Sequence, residues 1–166
     1  FGNKLSSYPF ISSCFPNILS ADLFDRFDDG IWSAMPSSMS YEAGSLLATG
    51  DGARMRTADM YSVSRIRGSL DKDEGCDDHF VMLSANPTEL WSWSSSPNTI
   101  KFVWNCSSKY IYSASTTEYT SCSDLREYTI DIQIEGSTAT FTDDACADIT
   151  VTDPFLASGE PLYVYV

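Results

Sequence analysis

From Ile100 onward the chain alternates apolar and polar side chains with a period of two. Ile100, Phe102 and Trp104 fall on one side against Lys101, Val103 and Asn105, and Tyr128, Ile130, Ile132 and Ile134 oppose Thr129, Asp131 and Gln133. Successive side chains of a strand point to opposite faces, so this is strand periodicity. Residues 128–141 are interrupted by Glu135-Gly136-Ser137 and read as a hairpin. Residues 79–84, 109–112 and 162–166 add strands. Residues 45–49 and 55–67 hold more, bounded by Thr49-Gly50-Asp51-Gly52 and Gly68. No window carries a helical apolar face with caps. Many short strands separated by turns predict an all-β, antiparallel β-sandwich or jelly roll.

The first residues break this pattern. Tyr8-Pro9-Phe10-Ile11 and Phe15-Pro16-Asn17-Ile18-Leu19 are apolar, interrupted by proline and almost uncharged. They read as an extended N-terminal arm over residues 1–21, ahead of a sandwich domain over 22–166. Pro9 and Pro16 exclude a continuous central strand within the arm but permit an edge strand or a polyproline-like crossing. Phe10, Ile11, Phe15, Ile18 and Leu19 carry too much apolar surface to stay in water. They are expected to anchor the arm on a sheet edge, either of a second copy or of the chain's own sandwich.

Composition narrows the function classes. The 166 residues suit one domain, and 43% hydrophobic with 13% aromatic residues is more than a disordered chain carries. With 10 Lys+Arg against 23 Asp+Glu the surface repels phosphate, which argues against nucleic acid and anionic lipid as partners. No apolar run is long enough for a membrane span. The chain starts at Phe1 without a basic, then apolar leader, so a signal peptide is expected to have been removed already. Cys14, Cys76, Cys106, Cys122 and Cys146 form no Cys-x-x-Cys pair, and His79 is the only histidine, so zinc-finger spacing is absent. Two structural disulfides in an oxidising compartment are the expected use, and the protein is read as secreted, extracellular or at the cell surface. Cys106 and Cys122 flank the hairpin region 109–120 and are expected to pair, other pairings remaining open. Asn105-Cys106-Ser107 is an N-glycosylation sequon, which marks Asn105 as a glycan acceptor.

The run Asp22-Leu23-Phe24-Asp25-Arg26-Phe27-Asp28-Asp29-Gly30-Ile31-Trp32 resembles the opening of concanavalin A-like lectin and glucanase domains, a superfamily that includes laminin G-like jelly rolls. Leu46-Leu47-Ala48-Thr49-Gly50, then Arg65-Ile66-Arg67 and Asp78-His79-Phe80-Val81-Met82-Leu83-Ser84, resemble its following strands in order. Tyr128-Thr129-Ile130-Asp131-Ile132 and Thr140-Phe141-Thr142-Asp143 are similar to its late hairpin. The resemblance covers residues 22–166 and implies a jelly roll. Laminarinase-like members place catalytic acids on one strand as glutamate, apolar, aspartate, apolar, apolar, glutamate. Glu42, Glu74, Glu89, Glu118, Glu127, Glu135 and Glu160 show no such spacing, so a non-catalytic member is expected.

Three sites remain as candidates. Asp71-Lys72-Asp73-Glu74-Gly75-Cys76-Asp77-Asp78 is the densest acid run, and Asp71, Asp73 and Asp77 could hold calcium; its glycine falls one position early for an EF-hand loop and no glutamate closes it. A solvated acidic turn explains the same residues, and no other cofactor is expected. Trp91 and Trp93 share a face if they lie on a strand and, with Trp104, Tyr110 and Tyr112, could stack against sugar rings. Core packing for Trp104, and loop or interface packing for Trp91 and Trp93, is the favoured reading. His79 has no serine, cysteine or second histidine tied to it by spacing and reads as structural. Two functions follow as expectations: a structural subunit that polymerises head to tail through its arm, with copies of itself and glycans as partners, or a lectin-like carbohydrate-binding module.

Overall fold

Strands with one apolar face must cover it with another sheet, and the alternation around Ile130 and Ile132 does this. The computed structural model describes residues 3–6, 32–33, 36–42, 45–48, 54–71, 78–89, 96–105, 107–122, 127–144 and 146–166. The strands are β1 (Asn3–Ser6), β2 (Met39–Glu42), β3 (Ser45–Ala48), β4 (Arg65–Asp71), β5 (His79–Ser84) and β6 (Thr99–Trp104). They continue as β7 (Ser108–Tyr112), β8 (Thr117–Ser121), β9 (Glu127–Glu135), β10 (Thr138–Asp143), β11 (Ile149–Thr152) and β12 (Tyr163–Tyr165), with one short 3-10 turn at Leu156–Ser158. Two antiparallel sheets result, of order β11-β10-β9-β4-β1-β3-β2 and β12-β5-β6-β7-β8. The sandwich is the one the sequence predicts.

Ile66, Ile130, Ile132, Phe141 and Val151 of the larger sheet meet Val81, Leu83, Ile100, Phe102, Trp104 and Ile111 of the smaller. Phe141 is the hinge of this contact. Its ring stands edge-on to Phe102 at 5.8 Å and tilted against Trp104 at 5.6 Å, the offset geometry aromatic quadrupoles favour. The β9–β10 hairpin closes with Glu135 paired to Thr138, leaving Gly136 and Ser137 as a two-residue turn. Gly136 has φ 59°, as the first central residue of a type II′ turn requires, and the twist of that turn matches the strands.

One expectation about strands is narrowed, and one burial goes beyond what the alternation shows. Over residues 55–67 only the end, from Arg65, belongs to a strand; Arg56 and Tyr61 instead make isolated bridges to Tyr165 and Leu162. On β6 the polar phase is not exposed, because all six residues are buried, Lys101 among them at 1% exposure. Lys101 therefore titrates below its ordinary value through desolvation, offset in part by the charge of Glu89.

Within the segment read as an arm, residues 3–6 form β1 in a central position, paired antiparallel with β3 on one side and β4 on the other. Pro9 comes after it. The proposed anchors Phe10, Ile11, Phe15, Ile18 and Leu19 lie outside the described residues.

One side of the sandwich is tied shut. Cys122 forms its disulfide with Cys146, not Cys106, and the two Cα atoms are 4.8 Å apart. The reason is strand phase. Lys109, buried at the sandwich interior, pairs with Thr120, so Cys122 two residues later falls in the same inward phase and meets the β10–β11 connection of the other sheet. Cys106 lies outside the described residues. Ser115 Oγ, in the β7–β8 turn, donates to Asp153 Oδ2 at 3.1 Å across the same side.

Candidate functional site

The outer face of the smaller sheet carries three tyrosines in a row. Tyr110 and Tyr112 are two apart on β7 and so share a face, and the hairpin register sets Tyr119 of β8 directly opposite Tyr110. Their rings stack: Tyr110 on Tyr112 at 5.6 Å and 18°, Tyr110 on Tyr119 at 5.9 Å and 24°. Tyr119 is 66% exposed while the other two are half-buried. Partial burial, then the neighbouring Tyr110 and Asp78, raise the Tyr112 hydroxyl above its ordinary value, so it stays a neutral donor. Flat rings with hydroxyl edges can cover the apolar face of a pyranose and hydrogen-bond its rim.

The acids are arranged differently. Asp131, on the outer face of β9, is gripped by Arg65, which reaches both carboxylate oxygens, and by Arg67 Nε at 3.3 Å. The hydrogen bond from Arg65 to Asp131 raises the arginine above its ordinary value, against a smaller desolvation effect. A groove of about 270 Å³ opens beside β12, lined by Arg54, Arg56, Glu89 and Tyr165 among others. Among the described residues Glu89 is the single carboxylate in that lining, where a retaining glycosidase needs two. The Tyr165 hydroxyl donates to the Asn86 carbonyl at 2.6 Å and accepts from the Glu89 backbone N–H at 3.3 Å, fixing the groove's rim.

The other sequence candidates fall as follows. Asn105 turns β6 into β7: its Oδ1 accepts from the Ser107 and Ser108 backbone N–H groups at 3.0 Å, and its Nδ2 reaches Asp78 Oδ1 at 3.3 Å. Trp104 is 2% exposed and packs in the core, not on a platform, because its position on β6 shares the inward phase of Ile100 and Phe102; core packing is the reading its sequence position favours. Trp91, Trp93, Asp73 and Asp77 lie outside the described residues, and Asp71 ends β4. Among the described residues no group of three or more His, Cys, Asp or Glu side chains could hold a metal ion. Sequence reasoning passed over Tyr119, whose partner is set by hairpin register, and over Lys109, a lysine in the inward phase of Ile111.

No protein-family model matches the chain, and no curated protein is similar to it in sequence. Solved structures do match. The TRIM65 PSpry domain superposes with TM-score 0.52 at 10% identity over 95% of this chain and 93% of that one. Bacillus licheniformis beta-glucanase gives 0.57 at 11% identity over 86% and 80%, and LamAcat from Zobellia galactanivorans gives 0.50 at 8% over 99% and 78%. This is a concanavalin A-like jelly roll. Identities this low speak for the fold alone, since one jelly roll carries many functions. Among the described residues of this jelly roll no helix is long and apolar enough to cross a membrane.

Proposed function

We propose that this jelly roll is a non-enzymatic, extracellular structural subunit that assembles head to tail into a fibre, each copy lending its N-terminal strand to the next and carrying a glycan on Asn105. The observation that carries the reading is the seat of β1. β3 and β4 pair with β1 rather than with each other, so the sheet has a slot that a four-residue strand completes on both edges. In sequence, 25 residues, 7–31, lie between β1 and the next described residue of the sandwich, Trp32, which bridges to Thr57. An element so tethered can fill the same slot in a second copy with identical hydrogen bonds, and an exchange that does not reciprocate is heterologous and open-ended. The apolar anchors after β1 would then lie across the junction. The disulfide between β8 and the β10–β11 connection suits an oxidising, secreted setting. The non-enzymatic part of the reading is supported by the ion-paired state of Asp131 and by Glu89 being the single carboxylate among the described residues of the groove.

Particle size in native solution tests the assembly. Fibres or oligomers should form as concentration rises, with a melting temperature that falls on dilution. A synthetic peptide of residues 1–21 added in excess should shorten them by occupying the slots. A full-length protein that stays monomeric at high concentration, with a melting temperature unchanged by dilution, would overturn the reading. Laminarin and lichenan should release no reducing ends.

The stacked tyrosines favour a second reading, a lectin-like carbohydrate-binding module. Titration with soluble oligosaccharides should quench tyrosine fluorescence, and Tyr119→Ala, at an exposed position, should weaken binding without unfolding the chain. Equal binding by the variant would remove this reading.

A further inference from the structure

A lysine and an aspartate are buried together between the sheets. Lys109 of β7 and Asp143 of β10 have side chains 0% and 2% exposed, and Lys109 Nζ lies 3.1 Å from Asp143 Oδ2 without the angles of a hydrogen bond. The Phe141 ring centroid is 5.1 Å from the same Nζ. A buried ion pair costs more in desolvation than it recovers unless its geometry and further hydrogen bonds are good. The other carboxylate oxygen is well placed. Oδ1 accepts the Cys146 backbone N–H at 2.7 Å.

A lysine amine thus touches one oxygen of a buried carboxyl group whose other oxygen is held by a backbone donor. We propose that Lys109 and Asp143 condense into a side-chain amide, an isopeptide cross-link between the two sheets. Proton transfer within the dry pair gives the neutral amine and carboxylic acid. Nζ attacks Cγ, and the charge that develops on Oδ1 is held by the Cys146 N–H, a fixed donor in a water-poor site. The Nζ–Cγ bond forms and the Cγ–Oδ2 bond breaks. Of the three protons on the original ammonium, two leave with Oδ2 as water and one stays on the amide nitrogen. No oxidant, reductant or co-reactant is required. Holding the two groups in contact supplies an effective molarity of roughly 10⁵–10⁸ M, which offsets the bulk water that opposes such condensation in solution. Exclusion of water from the product then protects the amide. Because the Cys122–Cys146 disulfide fixes the loop that presents the Cys146 N–H, oxidation of that pair is expected to precede amide formation.

The full-length protein, reduced and alkylated, is digested with trypsin and mapped by mass spectrometry. The expected result is failure to cleave after Lys109 and a branched peptide joining the Lys109 and Asp143 segments, lighter by one water than its two parts. Lys109→Arg should restore cleavage at residue 109 and abolish the branched species, and Asp143→Ala should do the latter. The wild-type map decides even if the variants fail to fold. Linear peptides covering both Lys109 and Asp143, at the masses of their sequences, would overturn the proposal. A loss of water confined to a linear peptide, as a cyclic imide at Asp143-Asp144, would overturn it equally.

Discussion

Replacing Cys122 by serine removes the cross-link between the C-terminal end of β8 and the β10–β11 connection. The bond spans a sequence separation of 24 residues. In the chain-entropy account, closing a loop of that size removes enough freedom from the unfolded chain to stabilise the fold by about 3.5 kcal/mol at 25 °C. With a urea dependence of about 1–3 kcal/mol per molar, the unfolding midpoint should fall by about 1.2–3.5 M. Cys146→Ser should cost the same. The double variant should cost no more than either single change, because both remove one bond and the two sites are fully coupled. Urea unfolding followed by tryptophan fluorescence and by circular dichroism reads all three, and a non-reducing peptide map verifies the bond. Additive costs in the double variant, or a cross-linked peptide joining Cys122 to Cys106, would refute the reasoning.

Three further outcomes follow from the packing. Phe141→Ala leaves a cavity between the sheets where the ring met Phe102 and Trp104, and thermal unfolding should report a loss of about 3–5 kcal/mol. Gly136→Ala meets no steric neighbour but forces a side chain onto φ 59°, so denaturation should show a cost of about 1 kcal/mol, with the β9–β10 hairpin the first region to lose hydrogen-exchange protection. Burial pushes the Asp153 carboxyl upward, but hydrogen bonds from the Phe155 backbone, Ser113 and Ser115 together outweigh it and hold it below its ordinary 3.8. As the pH falls the unfolded chain therefore takes up the proton first. The stabilisation is complete above 3.8 and is lost as the pH drops through the folded value, so Asp153→Asn should flatten the acid limb of the stability curve and an unaltered limb would contradict this.

Much of the fold was legible because alternation and turn chemistry are local. β5 occupies the residues the pattern marked, and the β9–β10 hairpin turns at the glycine that only a positive φ required. What escaped was set by partners distant in sequence. The burial of Lys101 and Thr99 depends on what covers the outer face of β6, and periodicity counts positions without seeing the cover. Cys122 chose Cys146 over its hairpin neighbour because inward phase outranks proximity along the chain. The tyrosine stack needed the β7–β8 register to bring Tyr119 opposite Tyr110. Lys109 could have been noticed as a charge in an apolar phase, but Asp143 lies on the other sheet and nothing local names it.

The place of β1 has a consequence in time as well as in space. Its partner Asp71 on β4 is separated from Lys4 by most of the first half of the chain, and β4 in turn pairs with β9, Arg65 opposite Gln133. Contacts this distant in sequence make a slow folder, on the millisecond-to-second scale of β-sandwiches. During that interval β3 and β4 each present an unsatisfied edge, and the first matching strand to arrive closes the gap. In the proposed assembly, that strand would come from the same molecule in dilute solution and from a neighbour at high protein concentration, so concentration during folding would select the product.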